Sequence, residues 1–154
     1  MIFREATRED IPSMRALRLA VRENVFSDPN RITFEMYESY LGARGKTWVC
    51  VADGEIAGFS SAASFDNSIW ALFVSEKYEA RGIGKRLLQM AVEWLFGAGA
   101  SVISLSTAEN TRADRFYESL GWTRGEIDHR GEVHYTLKNQ GFARGSEPDG
   151  LESD

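Results

Sequence analysis

The hexapeptide Arg81-Gly82-Ile83-Gly84-Lys85-Arg86 constrains this chain more than any other stretch. A strand-like run, Ile69-Trp70-Ala71-Leu72-Phe73-Val74, precedes it, and a helix-like run from Leu87 to Phe96 follows it. Two glycines at such a junction let the backbone turn tightly and approach a ligand closely. The helix start beyond them presents free N–H groups and the positive end of the helix dipole. That is how a main chain holds a phosphate or pyrophosphate. The middle of the chain is therefore expected to bind an anionic cofactor.

Two common phosphate motifs are excluded. A mononucleotide P-loop needs Gly-x-x-x-x-Gly-Lys followed by Ser or Thr; here Gly84-Lys85 is followed by Arg86, and the first glycine is missing. A dinucleotide fingerprint needs a third glycine, but position 87 is Leu. The balance of 18 basic against 23 acidic residues gives a formal charge of −5, which disfavours nucleic acid as a partner. The local cations Arg81, Lys85 and Arg86 suit a small phosphorylated ligand instead. No apolar run reaches the ~18 residues that span a bilayer, and the N-terminus lacks a basic region followed by an apolar one. A cytoplasmic protein without membrane contact is expected. The single cysteine, Cys50, lies in a strand-like run and reads as a buried, inert thiol.

The 154 residues fit one domain. Ile2 to Ala6 reads as a strand. Asp10 is placed to cap a helix carrying Pro12 in its first turn and Met14, Leu17, Ala20 and Val21 at helical spacing. Asn24 to Asn30 reads as a loop, and Thr33 caps a second helix. Asp53-Gly54 between two apolar runs predicts a hairpin. Further strands are expected from Ile69 to Val74 and from Ser101 to Leu105, and helices over 84–96 and 111–120. A terminal antiparallel pair follows Trp122. This order predicts an α/β fold, a mixed β-sheet flanked by helices. The domain is expected to cover 1–138, with 139–154 a flexible acidic tail.

The segment from Asn110 to Trp122 sharpens the functional expectation. Ala113, Phe116, Tyr117 and Leu120 fall on one side of a short helix. Tyr117 offers an apolar ring and a hydroxyl able to donate a proton. Glu79-Ala80-Arg81-Gly82-Ile83-Gly84, together with Asn110, Ala113, Phe116, Tyr117 and Gly121, resembles the two signatures of the GNAT superfamily of acyl-CoA-dependent N-acyltransferases. Glu79 departs from the basic or amide residue which that family carries at the first loop position. The likeness covers roughly residues 2–137 and is most specific between Phe73 and Trp122.

The resemblance implies a sheet splayed at its centre and acetyl-CoA as acyl donor. It implies that Phe73 and Val74 offer main-chain groups to the pantetheine arm, and that the amides from Arg81 through Arg86, those of Gly82, Ile83, Gly84 and Lys85 included, hold the pyrophosphate. Asn110 and Phe116 would shape the pantetheine end, and Tyr117 would protonate the departing thiolate. A primary amine of a small molecule is the expected acceptor. A protein or peptide amine, or a silent acyl-CoA sensor, are the alternatives.

An alkyl amine is almost fully protonated at neutral pH, so a base is needed. Glu23, Asp28, Glu35, Asp66 and Glu109 are candidates, with Glu109 preferred because it directly precedes Asn110. Trp48, Trp70, Phe34, Tyr37 and Tyr40 can serve as core or acceptor-pocket aromatics. His129 and His134 lack a third partner in a metal-ligand pattern, so no metal is expected. The edge of the terminal hairpin suggests a homodimer.

Overall fold

The computed structural model describes residues 1–21 and 32–140. The expected loop over 24–30, Glu23 and Asp28, and all but the first two residues of the expected tail lie outside the described residues. The chain divides into two compact units, Met1–Val92 and Glu93–Asp154.

The first unit contains β1 (Ile2–Glu5), α1 (Ile11–Ala20), α2 (Phe34–Ser39), β2 (Gly45–Ala52), β3 (Glu55–Ala63) and β4 (Ser68–Val74). It also holds the start of α3 (Ile83–Gly97). Its strands lie in the order β1-β2-β3-β4, each pair antiparallel. The β2–β3 turn is the expected two-residue hairpin. Asp53 and Gly54 both have positive φ, 53° and 76°, as a turn matching the strand twist requires.

Helix α1 carries Pro12 in its first turn as expected, but the Asp10 side chain makes no capping bond to it. Its carboxylate accepts the Thr7 N–H at 2.8 Å and the Arg4 guanidinium at 2.8 and 3.0 Å. The reason is local: a short 3-10 turn over Arg8–Asp10 precedes α1 and takes up the carboxylate. Thr33 does cap α2, accepting the Met36 N–H at 3.2 Å. The core of this unit is the packing of Ile11, Met14 and Leu17 from α1 and Tyr37 from α2 on Val49, Phe59 and Ala71 of the sheet. Each large apolar side chain buried this way contributes roughly 1.5–3 kcal/mol relative to leaving it exposed.

Strand β4 carries a bulge. Ser61 pairs with Ala71 and Ala62 with Ile69, so Trp70 is the extra residue. A bulge re-aims side chains. Trp70 consequently faces the same side as Ala71, stacks on Tyr40 with ring centroids 4.3 Å apart and meets Tyr37 edge-on at 5.4 Å. The Arg18 guanidinium of α1 lies 5.0 Å from the Trp70 ring and 4.8 Å from that of Phe73. Strict alternation along the strand would have sent Trp70 to the other face.

Two small residues of β3 seat helix α3. A Cβ on Gly58 would come within 3.0 Å of the Phe73 carbonyl oxygen, 3.1 Å of Leu87 Cδ1 and 3.2 Å of Ile83 Cγ2. Only glycine lets α3 lie this close. Ser60 donates its hydroxyl to the Leu87 carbonyl at 3.0 Å, which satisfies a buried polar group that would otherwise be costly.

The second unit contains β5 (Val102–Ala108), α4 (Arg112–Ser119), β6 (Thr123–Ile127) and β7 (Glu132–Lys138). Its strands lie in the order β5-β7-β6, again antiparallel. Ile103, Leu105, Tyr117, Trp122, Val133 and Tyr135 are among its buried apolar residues. Strand β6 is exposed along its whole length.

Candidate active site

In the first unit the chain leaves β4 at Val74 and makes a 3-10 turn over Glu76–Tyr78. Tyr78 is buried, and its hydroxyl meets Glu55 Oε2 at 2.8 Å, Asp53 Oδ2 at 3.1 Å and the Ala52 carbonyl at 3.3 Å. Burial, with the carboxylates of Glu55 and Asp53 accepting from it, pushes this phenol well above its ordinary pKa. It therefore remains a donor and ties the turn to the β2–β3 hairpin. Lys77 adds an ion pair with Glu55 at 2.8 Å.

Beyond this anchor, Ala80 and Gly82 have positive φ, 66° and 80°. The Gly82 carbonyl accepts the Arg86 N–H at 3.1 Å, which makes Gly82 the residue that opens α3. The amides of Ile83, Gly84 and Lys85 precede the first helical donor and so have no carbonyl partner within the helix. These N–H groups, with the dipole of a helix of 15 residues behind them, form an anion cradle. The expected participation of the Arg86 amide is corrected by this geometry: its N–H is spent on Gly82, and only its guanidinium is available. Arg81 lies 5.3 Å over the Tyr78 ring, and Arg86 lies 5.9 Å over the Phe3 ring. Arg81, Lys85 and Arg86 are all exposed. Phe73 and Val74 are half-buried at the end of β4, paired with Phe59 and Gly58.

In the second unit Glu109 and Asn110 follow β5 directly, and both are exposed. The Glu109 N–H donates to the Gly131 carbonyl at 2.9 Å. Asn110 has φ 63°, a left-handed conformation that asparagine tolerates better than most residues. Thr111 caps α4 by accepting the Asp114 N–H at 3.2 Å. Tyr117 is 5% exposed, with its ring 5.3 Å from Phe116, 5.8 Å from Trp122 and 5.7 Å from Tyr135. Burial alone raises its pKa well above that of a free phenol. The hydroxyl consequently keeps its proton at working pH.

Among the other base candidates, Glu35 is exposed. Asp66 is exposed and accepts the Ser68 hydroxyl at 2.7 Å within a turn. His134 pairs with Asp128 at 2.9 Å. Among the described residues no cluster of side chains could hold a metal ion. Cys50 is fully buried in β2, and burial raises its thiol pKa. Among the described residues no helix is long and apolar enough to cross a membrane.

No local pattern marks Asp114, which is 4% exposed. Helical spacing had placed only apolar residues on the inner side of α4. The partners that allow a carboxylate to be buried there, Arg124 and Tyr135, stand 10 and 21 positions further on.

A main-chain anion cradle at a helix start suits a phosphorylated ligand. The acetyltransferase (GNAT) family model matches residues 11–122, and the chain belongs to that family. Solved structures agree. A GNAT-family acetyltransferase from Staphylococcus aureus Mu50 is similar with a TM-score of 0.76 at 19% identity, over 89% of this chain and 98% of that one. The PaiA N-acetyltransferase from Thermoplasma acidophilum, in complex with coenzyme A, gives 0.72 at 17% identity over 90% and 98%. The ribosomal-protein-S18-alanine N-acetyltransferase from Escherichia coli gives 0.68 at 21% over 89% and 92%. No curated protein matches this chain. The protein is an acetyl-CoA-dependent N-acetyltransferase. Its fold class is the expected one, a seven-stranded mixed sheet flanked by helices.

Proposed function

We propose that this protein transfers acetyl from acetyl-CoA directly to a primary amine of a small molecule, in the cytoplasm, with residues 1–138 working as one catalytic domain. The observation that carries the reading is the set of helix-start amides at Ile83, Gly84 and Lys85 behind the left-handed Gly82. They fit a pyrophosphate, and Arg81, Lys85 and Arg86 supply cations around it. Phe73 and Val74 offer main-chain groups to the pantetheine arm, and Asn110 and Phe116 serve its thioester end.

Acetyl-CoA supplies the activated acetyl group. The Tyr117 hydroxyl donates to the sulfur as the C–S bond breaks and the C–N bond forms. A phenol with a raised pKa is a weaker acid than a thiol of pKa ~8.5. Stabilisation therefore comes from the hydrogen bond made as charge develops on sulfur, rather than from a completed early proton transfer. Glu109 takes the amine proton, directly or through water. Cys50 carries no acyl group, since its thiol is buried within a strand and biased toward the neutral form.

A groove of ≈ 480 Å³ in the first unit supports a small acceptor. It is lined by Ser13 and Leu17 of α1, by Glu55 and Ile56, and by Ser75 and Glu76. That volume falls in the range of small-molecule sites; the Glu55 carboxylate on its rim is engaged by Lys77 and the Tyr78 hydroxyl. The test is CoA release across matched panels of metabolite amines and peptides. Higher kcat/KM on a metabolite amine is expected; a peptide preferred by orders of magnitude overturns the acceptor assignment. Tyr117→Phe should lower kcat about 10–100-fold while sparing CoA affinity, because only the donor is lost. The exposed β6 edge supports a homodimer, and sedimentation equilibrium showing only monomer at micromolar protein refutes that.

A further inference from the structure

The Asp114 carboxylate accepts four hydrogen bonds, and no step above uses it. It sits in the first turn of α4, buried. Its Oδ2 accepts the Asn110 N–H at 3.0 Å and the Arg124 Nη2 at 2.9 Å. Its Oδ1 accepts Arg124 Nε at 3.1 Å and the Tyr135 hydroxyl at 2.5 Å. The same hydroxyl lies 2.8 Å from the Asp114 carbonyl. One phenolic proton cannot serve both oxygens fully, and the shorter, charged contact takes it. The Asp114 N–H meanwhile binds Thr111 Oγ1, whose own hydroxyl donates to the Ala108 carbonyl at 2.7 Å.

The arrangement does more than join two elements. An ordinary capping box returns its carboxylate to the capping residue itself. Here the carboxylate reaches one residue further back, to Asn110, and fixes the one N–H whose residue has φ 63°. The fork from Arg124 sets the carboxylate plane, because a guanidinium and a carboxylate pair in two parallel bonds. Tyr135, held by its hydroxyl, presents its ring 5.7 Å from that of Tyr117. Asp114 thus bears on two of the residues to which the acetyl end of the cofactor is assigned, on Asn110 directly and on Tyr117 through Tyr135.

We propose that Asp114, clamped by Arg124 and Tyr135, is a positioning residue that sets the left-handed Asn110 and the bearing of Tyr117 for acetyl transfer. The inference rests on the assignment of Asn110 and Tyr117 to the acetyl end of acetyl-CoA. It makes a specific demand: loss of Asp114 should harm the pantetheine end and the chemistry, and leave the pyrophosphate cradle of the first unit untouched.

The test compares Asp114→Asn, Arg124→Lys and Tyr135→Phe with the wild type, well below their melting temperatures. Calorimetry measures CoA and its fragment 3′-phospho-ADP, which lacks pantetheine; steady-state kinetics follows acetyl-CoA turnover. Asp114→Asn should lower kcat/KM about 10–100-fold, as misplacement of reacting groups does, and weaken CoA, while fragment affinity stays within about twofold. Arg124→Lys, which keeps the charge but loses the fork, should fall between that variant and the wild type. Tyr135→Phe keeps the ring and should lower kcat with little change in CoA affinity. If Asp114→Asn cannot be obtained folded, the two flanking variants decide by the same split. Wild-type kinetics in the folded variants overturns the inference, and so does an equal loss of fragment and CoA binding. A wild-type protein that binds neither CoA nor the fragment overturns the cofactor assignment on which the inference rests.

Discussion

Adding one methyl group at Gly58 tests whether the seat of α3 sets the anion cradle. Gly58→Ala places a Cβ 3.0 Å from the Phe73 carbonyl oxygen, 3.1 Å from Leu87 Cδ1 and 3.2 Å from Ile83 Cγ2. The first contact is with backbone, so the strand cannot simply rotate a side chain away. The other two are with the first turns of α3, so the helix start is what yields. Overpacking of this kind costs about 1–3 kcal/mol, which lowers Tm by roughly 2–10 °C at this chain length. Displacing the amides of Ile83 and Gly84 by a few tenths of an ångström weakens their bonds to pyrophosphate. Losing the worth of one charge-assisted hydrogen bond, about 1.5–3 kcal/mol, raises the Kd for CoA about tenfold or more. Calorimetry with CoA, alongside thermal unfolding, reads both quantities. Gly42→Ala is the control, since a Cβ there meets nothing within 4 Å. An unchanged Kd in a folded Gly58→Ala protein would refute the argument that this contact positions the cradle, even if Tm fell.

Gly82→Asp should raise the Kd for CoA about tenfold or more, because a carboxylate opposes the phosphates at a few ångströms and the φ of 80° strains any side chain at this position, although no atom lies within 4 Å of the added Cβ. Lys85→Ala should cost only about threefold, since the backbone donor remains, and an equal loss in the two variants would count against a main-chain cradle. Gly45→Ala should destabilise by about 3 kcal/mol or fail to fold, because its Cβ would stand 1.8 Å from the Ala62 carbonyl oxygen; a wild-type melting curve would contradict the β2–β3 register. Arg124 holds the Asp114 carboxyl well below the usual carboxylate range, so its stabilising contribution is present above the unfolded value of ~3.9 and is lost as pH falls through the lower native value. The Tm advantage of wild type over Asp114→Asn should therefore be constant near neutrality and shrink below about pH 4; a gap unchanged down to pH 2.5 would show that the pair carries no such linkage.

The elements themselves were legible because their signals are local. Hydrophobic spacing located α1, α3 and α4, Asp53-Gly54 fixed the hairpin through the conformations those two residues tolerate, and the glycines around Ile83 marked the helix start as a cradle. What spacing could not supply was any contact made across the fold. Asp10 had the residue type and position of a helix cap, yet Arg4 and Thr7 compete for its carboxylate once β1 lies beside it. Trp70 had the alternation of a regular strand, and a bulge in its pairing with β3 turned it toward Tyr40 and Arg18. Asp114 carries no mark in the helical spacing of α4; only the return of β6 and β7 brings Arg124 and Tyr135 to its carboxylate and offsets the cost of burying it. Turn conformation and periodicity act over a few residues, so the sequence alone determined them. The state of a charge depends on every group that folding places around it, so only the tertiary structure decided which carboxylates are surface charges and which are buried among partners.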